Sequence, residues 1–128
     1  MSIEVKAIAK GVRQSPRKVS VVASLVRGRT VADALAILAH APRRAALPVQ
    51  KAIASAAANA ENNHNLKPDT LKIVQLNVTA GPRIKRFRPA AHGRALPFQR
   101  KSSHILVVVT GEMRQKKTAA KPAEKESK

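Results

Sequence analysis

Five basic side chains between positions 83 and 94 carry the clearest chemical signal in this sequence. They are four arginines and one lysine: Arg83, Lys85, Arg86, Arg88 and Arg94. A guanidinium group is a planar fork that binds phosphate through two parallel hydrogen bonds and stacks on nucleobases. Forks spaced this closely favour binding to a polyanion, whose phosphate groups they would hold one after another.

The charge balance of the whole chain points to the same kind of partner. Its 128 residues include 25 Lys and Arg against 7 Asp and Glu, a formal net charge of +18, and no acid occurs between Asp69 and Glu112. Self-repulsion opposes compaction unless a partner supplies negative charge. We therefore expect nucleic acid first and an anionic membrane surface second. The longest apolar runs, near Ala56 and Val107, are shorter than the ~20 residues of a membrane-spanning helix, and no N-terminal signal is recognised.

Catalytic and metal-binding chemistry find little support in the other polar residues. The four histidines, His40, His64, His92 and His104, show no paired ligand spacing, and the chain has no Cys. The carboxylates are too few and too isolated for a general acid–base pair. We predict no enzymatic activity, no cofactor and no metal, and we expect a cytoplasmic protein.

A second basic cluster surrounds the predicted start of the first helix. Arg13, Arg17 and Lys18 flank Ser15, and the free N–H groups and dipole of a helix N-terminus also favour phosphate. A merely solvated helix face is the alternative interpretation. Only 2% of the residues are aromatic, which argues against the stacking platforms of single-strand binders. We expect recognition of the backbone, the 2′-hydroxyl groups and the shape of the nucleic acid.

Capping signals predict the first two helices that would position these residues. Ser15-Pro16 begins the first helix and Gly28 ends it. Thr30 followed by Asp33 resembles a capping box before the second helix, which is predicted from Val31 to Leu38.

A third, Ala-rich helix is predicted from about Pro42 to Asn63. Pro48 lies inside this segment and should kink the helix or delay its regular start. A polar loop is predicted from Asn62 to Asp69. Residues 1–111 are expected to form a single domain, and residues 112–128, which have almost no large apolar side chain, a disordered basic tail.

Alternating apolar residues predict three strands, at Ile3–Lys10, Leu71–Thr79 and Ser103–Thr110. In the second strand, Val74, Leu76 and Val78 are expected to share one face. In the third, Ile105, Val107 and Val109 are expected to share one face of a strand that enters the core. Helices and strands together predict an α+β fold.

The segment between the last two strands must return the chain, and we predict a hairpin within residues 78–104. A turn near Ala90–Gly93 lies far enough from Val78 for an extended arm of ~43 Å, whereas a globule of this size has a radius of gyration of only ~13 Å. The hairpin should therefore protrude. Pro82, Pro89 and Pro97 lack backbone donors, so we expect irregular pairing and an arm that becomes ordered on its partner.

An ordered set of motifs in this sequence resembles the bacterial type of the large-subunit ribosomal protein family numbered twenty-two. The motifs are Ser15-Pro16-Arg17-Lys18, Val26-Arg27-Gly28, ADALAIL from Ala32 to Leu38, AANAENNH from Ala57 to His64, Gly81-Pro82 before Lys85-Arg86, Gly93-Arg94-Ala95, and SHILVVV from Ser103 to Val109. Each motif alone is weak, but the set is specific because it occurs in the same order over roughly residues 3 to 110.

The resemblance implies a body of three helices packed on a three-stranded antiparallel sheet, with a long protruding β-hairpin. It further implies that the body binds ribosomal RNA and supports subunit assembly beside neighbouring ribosomal proteins. The hairpin would line the nascent-peptide exit tunnel and contact nascent peptides transiently. The implied RNA-binding residues are Arg13, Ser15, Arg17, Lys18, Arg27, Asn62, Asn63, His64, Arg83, Lys85, Arg86, Arg88, Arg94, Arg100, Lys101, Ser103 and His104. The implied tunnel-lining residues are Ile84, Lys85, Arg86, Ala90, Ala91, His92 and Gly93.

The main alternative is a sequence-independent, DNA-binding architectural protein. The two helices around Gly28-Arg29-Thr30 could form a helix-turn-helix motif. However, the second helix has Asp33 near its N-terminus and no Arg, Asn or Gln to contact base edges. A membrane-active protein would need an apolar face beside the charges, which the arm lacks.

Overall fold

A computed structural model describes residues 2–115 of the chain. The elements are β1 (Ile3–Val12), α1 (Pro16–Val26), α2 (Val31–His40), α3 (Ala46–His64), β2 (Lys72–Ala80), β3 (Ile84–Pro89), β4 (Ala95–Arg100) and β5 (Ser103–Gly111). Single 3₁₀ turns lie at Pro68–Thr70 and Ala91–Gly93. Three helices pack on a three-stranded antiparallel sheet in the order β1-β5-β2, which confirms the predicted α+β fold.

The ends of α1 and α2 follow from local capping chemistry. The Ser15 hydroxyl accepts a hydrogen bond from the Lys18 N–H at 3.4 Å, with Pro16 at the first helical position. Gly28 lies just beyond α1 with φ +76°, a left-handed conformation that suits glycine because it has no Cβ. The Thr30 hydroxyl accepts from the Asp33 N–H at 3.3 Å and begins α2. These predicted caps are confirmed.

Helix α3 begins later than the sequence predicts and ends at His64, one residue beyond the predicted end near Asn63. It starts at Ala46 rather than near Pro42, so Pro48 falls in the first turn. An N–H in that turn has no partner within the helix, and proline therefore removes no hydrogen bond there. At the other end the helix includes Asn62, Asn63 and His64, which were predicted to begin a loop.

The core is aliphatic and lies between the helices and one face of the sheet. The side chains of Ile105, Val107 and Val109 on β5 are fully buried against those of Val49 and Ile53 on α3. The predicted inward face of the β5 strand is thus confirmed. Both phenylalanines lie outside this core.

One face assignment in β2 is wrong. Val74 is 54% exposed, whereas Ile73 and Leu76 are buried. The register against β5 shifts between Ile73 and Gln75, and such a bulge places an extra residue on one strand. The strict alternation that grouped Val74 with Leu76 is therefore interrupted by one residue.

Strands β3 and β4 form an antiparallel hairpin that pairs regularly from Ile84–Arg100 to Pro89–Ala95. Its turn is closed by a hydrogen bond from the Ala90 N–H to the Arg94 carbonyl at 2.9 Å, within the predicted turn region. The expectation that prolines would prevent regular pairing is wrong. Hydrogen-bonded and non-bonded pairs alternate along a ladder, so counting from Ala90–Arg94 places Pro89 and Pro97 at non-bonded positions. Their missing N–H groups would point away from the partner strand, where a two-stranded ribbon tolerates proline.

The hairpin continues β2 and β5 through an uneven junction. Ala80 pairs with Ser103 and Ile84 pairs with Arg100, which leaves three residues on one strand against two on the other. The Gly81 N–H donates to the Ser102 carbonyl at 2.8 Å, and the Ser102 hydroxyl donates to the Pro82 carbonyl at 2.6 Å. An extra residue bends a ribbon and increases its twist. The predicted reach of the hairpin, ~43 Å, stays a prediction.

The chain after β5 runs back along the loop that follows α3. The Lys67 N–H donates to the Glu112 carbonyl at 2.9 Å, and the Arg114 N–H donates to the Asn65 carbonyl at 2.7 Å. Residues 112–114, which the sequence assigned to the tail, are therefore attached to the body. Residues 116–128, the rest of the predicted tail, lie outside the described residues. No helix within residues 2–115 has the length and apolar character needed to cross a bilayer.

Candidate nucleic-acid interface

A concave surface of about 580 Å³ lies where the start of α1, the segment before α3 and the base of β4 meet. We call it the basic groove, and it is lined by Arg13, Gln14, Ser15, Lys18, Arg43, Arg44, Ala45, Gln99, Arg100 and Lys101. Six of these ten residues are cationic and none is acidic. The surface is therefore built to receive an anion rather than a neutral ligand.

Strand pairing explains why residues so distant in sequence share this groove. Val12, the last residue of β1, pairs with Ser103, the first residue of β5. This pairing places the start of α1 beside the chain that returns from the hairpin. The segment joining α2 to α3 adds two further cations, Arg43 and Arg44, from the third side.

A second concave surface of about 330 Å³, the junction groove, lies next to the basic groove. It is lined by Ser15, Pro16, Arg17, Ala80, Gly81, Arg83, Lys101 and Ser102. Ser15 and Lys101 line both grooves, so the two form one continuous basic surface around the base of the hairpin. Together the grooves present eight cations: Arg13, Arg17, Lys18, Arg43, Arg44, Arg83, Arg100 and Lys101.

Protein carboxylates do not neutralise these cations. Within residues 2–115 the one ion pair joins Lys67 and Glu112 at 3.9 Å, and neither residue lines a groove. The N-terminus of α1, at Ser15, adds the positive end of a helix dipole. The surface thus keeps a concentrated positive potential that a polyanion can satisfy.

Arg43 and Arg44 are the functional candidates that sequence reasoning missed. The sequence predicts both inside the third helix, but the structure places them before it, in the wall of the basic groove. Two adjacent arginines after a proline are a weak local signal. Their proximity to Ser15 arises from tertiary packing, which the sequence pattern did not reveal.

Three predicted RNA-binding residues lie at the far end of α3. Asn62, Asn63 and His64 are exposed in its last turn. Because α3 has 19 residues, its two ends are separated by ~28 Å. These residues therefore form a second, separate surface and do not extend the basic groove.

Three other predicted RNA-binding residues have roles within the protein. Arg27 donates from Nε to the Leu76 carbonyl at 2.9 Å and fastens α1 to the edge of β2. The half-buried His104 accepts at Nδ1 from the Gly11 N–H at 3.1 Å. Ser103 is fully buried, and its Oγ has no hydrogen-bond partner within residues 2–115. The side chain of Ser103 is therefore unavailable to RNA in this structure.

The hairpin has two chemically different faces, because directly opposed residues on paired strands project to the same side. The arginine face carries Ile84, Arg86, Arg88, Leu96, Phe98 and Arg100. The Phe87 face carries Lys85, Phe87, Pro89, Ala95, Pro97 and Gln99. The Arg88 guanidinium carbon lies 5.0 Å from the centre of the Phe98 ring, which agrees with their placement on one face.

The predicted tunnel-lining residues divide between strand and turn. Ile84, Lys85 and Arg86 are exposed on β3. Ala91, His92 and Gly93 are exposed in the turn, and Ala90 before them is half-buried. His92 and Gly93 both have left-handed backbones, with φ of 61° and 68°. The part of the chain that the structure describes contains no group of three or more potential metal ligands.

Comparison with known proteins agrees with this architecture. The sequence profile of the family described as Ribosomal protein L22p/L17e matches residues 7–110. Proteins named Large ribosomal subunit protein uL22 from Clostridium novyi, Clostridium tetani and Clostridium perfringens are each 50% identical to this chain over 107 residues. The match covers 84% of this chain and 96% of each relative. The chain therefore belongs to the L22p/L17e family of ribosomal proteins.

Proposed function

We propose that this chain binds large-subunit ribosomal RNA through the continuous basic surface at the base of its hairpin and through the hairpin itself. Its family makes it a structural, non-enzymatic protein of the large ribosomal subunit, working in the cytoplasm. The observation that carries the proposal is the pair of adjoining grooves, with eight cations and no carboxylate among their lining residues.

The grooves supply fixed positive charge where an RNA backbone would cross the body. Arginines predominate among the eight cations, and each can hold a phosphate through two hydrogen bonds. The exposed part of Arg27 and the surface at Asn62, Asn63 and His64 would add contacts at other positions. Such a distribution of contacts suits a protein that holds several RNA segments together during subunit assembly, beside neighbouring ribosomal proteins.

We further propose that the hairpin carries Arg86, Arg88 and Arg94 to RNA and presents its turn to the nascent-peptide exit tunnel. The turn residues Ala90, Ala91 and Gly93 have small side chains. A passage for nascent chains favours walls lined by small side chains, since bulky apolar side chains would retain the moving peptide. This part of the proposal is supported by family membership and by the exposure of the turn.

The structure offers less support for the alternative of a DNA-binding protein. The exposed residues of α2 are Ala32, Asp33, Ala36, Ala39 and His40. This set has one acid near the helix N-terminus and, apart from His40, no side chain that donates hydrogen bonds to base edges. A recognition helix in the major groove would need several such donors.

Salt dependence of RNA binding tests the proposal. If each of the eight groove cations neutralises one phosphate, these contacts alone should make log K fall against log salt with a slope of about −6 to −7, and phosphate contacts of the hairpin should steepen it further. The double variant Arg43→Ala/Arg44→Ala should reduce that slope by about 1.5, since two phosphate contacts are lost. Lys67→Ala is the matched control, because Lys67 already faces Glu112 and lies outside both grooves.

Each outcome has a clear meaning. A slope near −1, or equal affinity for duplex DNA and for large-subunit RNA at moderate salt, would contradict the proposal. An unchanged slope in the double arginine variant would remove the basic groove from the interface while leaving the hairpin as the binding element.

A further inference from the structure

Phe87 is the most exposed large hydrophobic side chain among residues 2–115. Its side chain is 72% exposed. The other phenylalanine, Phe98, is half-buried and has the Arg88 guanidinium 5.0 Å from its ring centre. Phe98 is thus covered within the hairpin, whereas the ring of Phe87 is left largely to solvent.

The residues around Phe87 on its face of the hairpin are mostly apolar and inflexible, and we call them the Phe87 platform. Pro97 lies directly opposite it on the paired strand, and Pro89 lies two residues further along the same face. Proline rings have a fixed backbone φ and little freedom to fold over a neighbour. The only charge on this face is that of Lys85. The platform therefore exposes an aromatic ring with little competition from flexible side chains. The sequence-based expectation that the arm has no apolar face is thus wrong, and its few aromatic residues include one placed where it can stack.

We propose that Phe87 stacks on an unpaired nucleobase of ribosomal RNA, an inference that rests on the RNA binding proposed above. The positive charge of the hairpin favours this partner over an apolar protein surface. No acid lies between Asp69 and Glu112, Lys85 shares the face, and Arg86, Arg88 and Arg100 occupy the opposite face. An apolar protein surface over the ring would leave the neighbouring Lys85 without counter-charge, whereas RNA, which the cations of the opposite face also favour, supplies both phosphates and aromatic bases.

The two faces then contribute to binding in different ways. The arginine face gives contacts that weaken as the salt concentration rises, because the release of counterions from RNA is then less favourable. Stacking by Phe87 gives a contribution that involves no ion release. Loss of the ring should lower affinity by a similar factor at every salt concentration, and loss of an arginine should change the slope.

A substitution series at Phe87 separates stacking from simple apolar burial. Full-length variants are titrated with an in-vitro transcript of bacterial large-subunit ribosomal RNA. Phe87→Ala should bind about 5- to 150-fold more weakly, the range found when one stacked base loses its aromatic partner. Phe87→Leu should lose nearly as much, because leucine keeps apolar volume but cannot stack. Phe87→Trp should retain the affinity of the unaltered protein. The slope against salt should stay unchanged in all three.

Fluorescence gives a second readout from a matched pair of variants. The sequence has no Trp and no Tyr, so Phe87→Trp would carry the single strongly fluorescent side chain. Stacking on a base should quench that fluorescence upon RNA addition. Leu96→Trp is the control, since Leu96 is also exposed but belongs to the arginine face. We expect quenching at position 87 to exceed that at position 96 clearly.

The outcomes distinguish this inference from the proposed function. If the unaltered protein binds the transcript with a steep salt slope but Phe87→Ala binds equally well, stacking is overturned and RNA binding stands. If Phe87→Leu binds like the unaltered protein, the ring contributes only apolar burial and stacking is again overturned. If the unaltered protein itself binds weakly and without salt dependence, the proposed function fails.

Discussion

The sheet of the body and the hairpin are both antiparallel β-structure, yet they use opposite means of stabilisation. β5 pairs on both sides and buries Ile105, Val107 and Val109 fully. β3 and β4 pair only with each other among the described strands, and all their side chains are exposed except the half-buried Phe98. Burial of aliphatic area stabilises the first region. An isolated two-stranded ribbon is marginal in water, so we expect the second region to depend on a partner for its stability.

The difference shows why one small chain can contain both a stable body and a strongly charged arm. The apolar residues concentrate where the helices cover the sheet, and the densest acid-free charge lies where nothing covers the strands. We therefore expect the body to fold without neutralisation of the arm. The arm's charges are left for a ligand, which is the arrangement that an RNA-binding extension needs.

The largest expected effect comes from truncating matched apolar residues in the two regions. Ile53→Ala should lower the free energy of unfolding by about 2–5 kcal/mol, because Ile53 is fully buried and its loss leaves a cavity. Leu96→Ala, at a hairpin position that is 53% exposed, should change it by less than about 0.5 kcal/mol. Urea unfolding followed by far-UV circular dichroism measures both, and equal losses would show that the hairpin belongs to the folding core.

A shortened hairpin should leave the body intact and alter only the reach of the arm. Removing Lys85–Arg88 together with Leu96–Gln99 deletes four cross-strand pairs and shortens the hairpin by ~13 Å. The even number keeps the two faces in phase. We expect unchanged urea unfolding and continued incorporation into large subunits, because the grooves remain. The exit tunnel should change in width and in its handling of particular nascent chains.

Purified large subunits carrying the full or the shortened hairpin provide this comparison. Failure of the shortened protein to enter subunits would show that the arm is mainly an assembly element. That result would contradict the expectation that the grooves of the body are sufficient for incorporation and that the hairpin acts mainly in the tunnel.

The smallest expected effect is at Ser103, where the two regions meet. Its buried hydroxyl has no partner within residues 2–115, so Ser103→Ala removes a desolvated polar group without breaking a bond. We expect stability to be unchanged or raised by up to about 1 kcal/mol, and RNA affinity to be unchanged. A clear loss of RNA affinity at constant stability would restore Ser103 to the interface.

Local chemistry made several elements predictable from the sequence. Ser15 and Gly28 act through contacts within a few residues, so their helix ends could be predicted correctly. The inward face of β5 could also be predicted, because its alternation is unbroken. The exposure of Val74 could not be predicted, since the bulge that causes it depends on how β2 aligns with its neighbour. Whether the strand can accommodate Pro97 depends, in a similar way, on which cross-strand pairs of β3 and β4 are hydrogen-bonded.

The candidate site was only partly predictable for the same reason. The cations of the hairpin and of the α1 start are visible as clusters in the sequence. Arg43 and Arg44 join them only because the α2–α3 segment packs beside Ser15. Phe87 and Phe98 lie on opposite faces of the hairpin because of the register in which β3 and β4 pair. The sequence alone did not provide that register. Local patterns therefore identified the chemistry, and tertiary contacts decided which residues share a surface.

Hydrogen exchange of the full chain, free and bound to large-subunit ribosomal RNA, tests the central claim most directly. The claim is that the body folds alone while the hairpin and grooves act on RNA. We predict strong protection of amides from Ile105 to Val109 in both states. Protection from Arg83 to Arg94 should be slight in the free protein and should rise when RNA is bound. Equal, strong protection of the hairpin in both states would contradict the account, as would RNA-induced protection confined to the body.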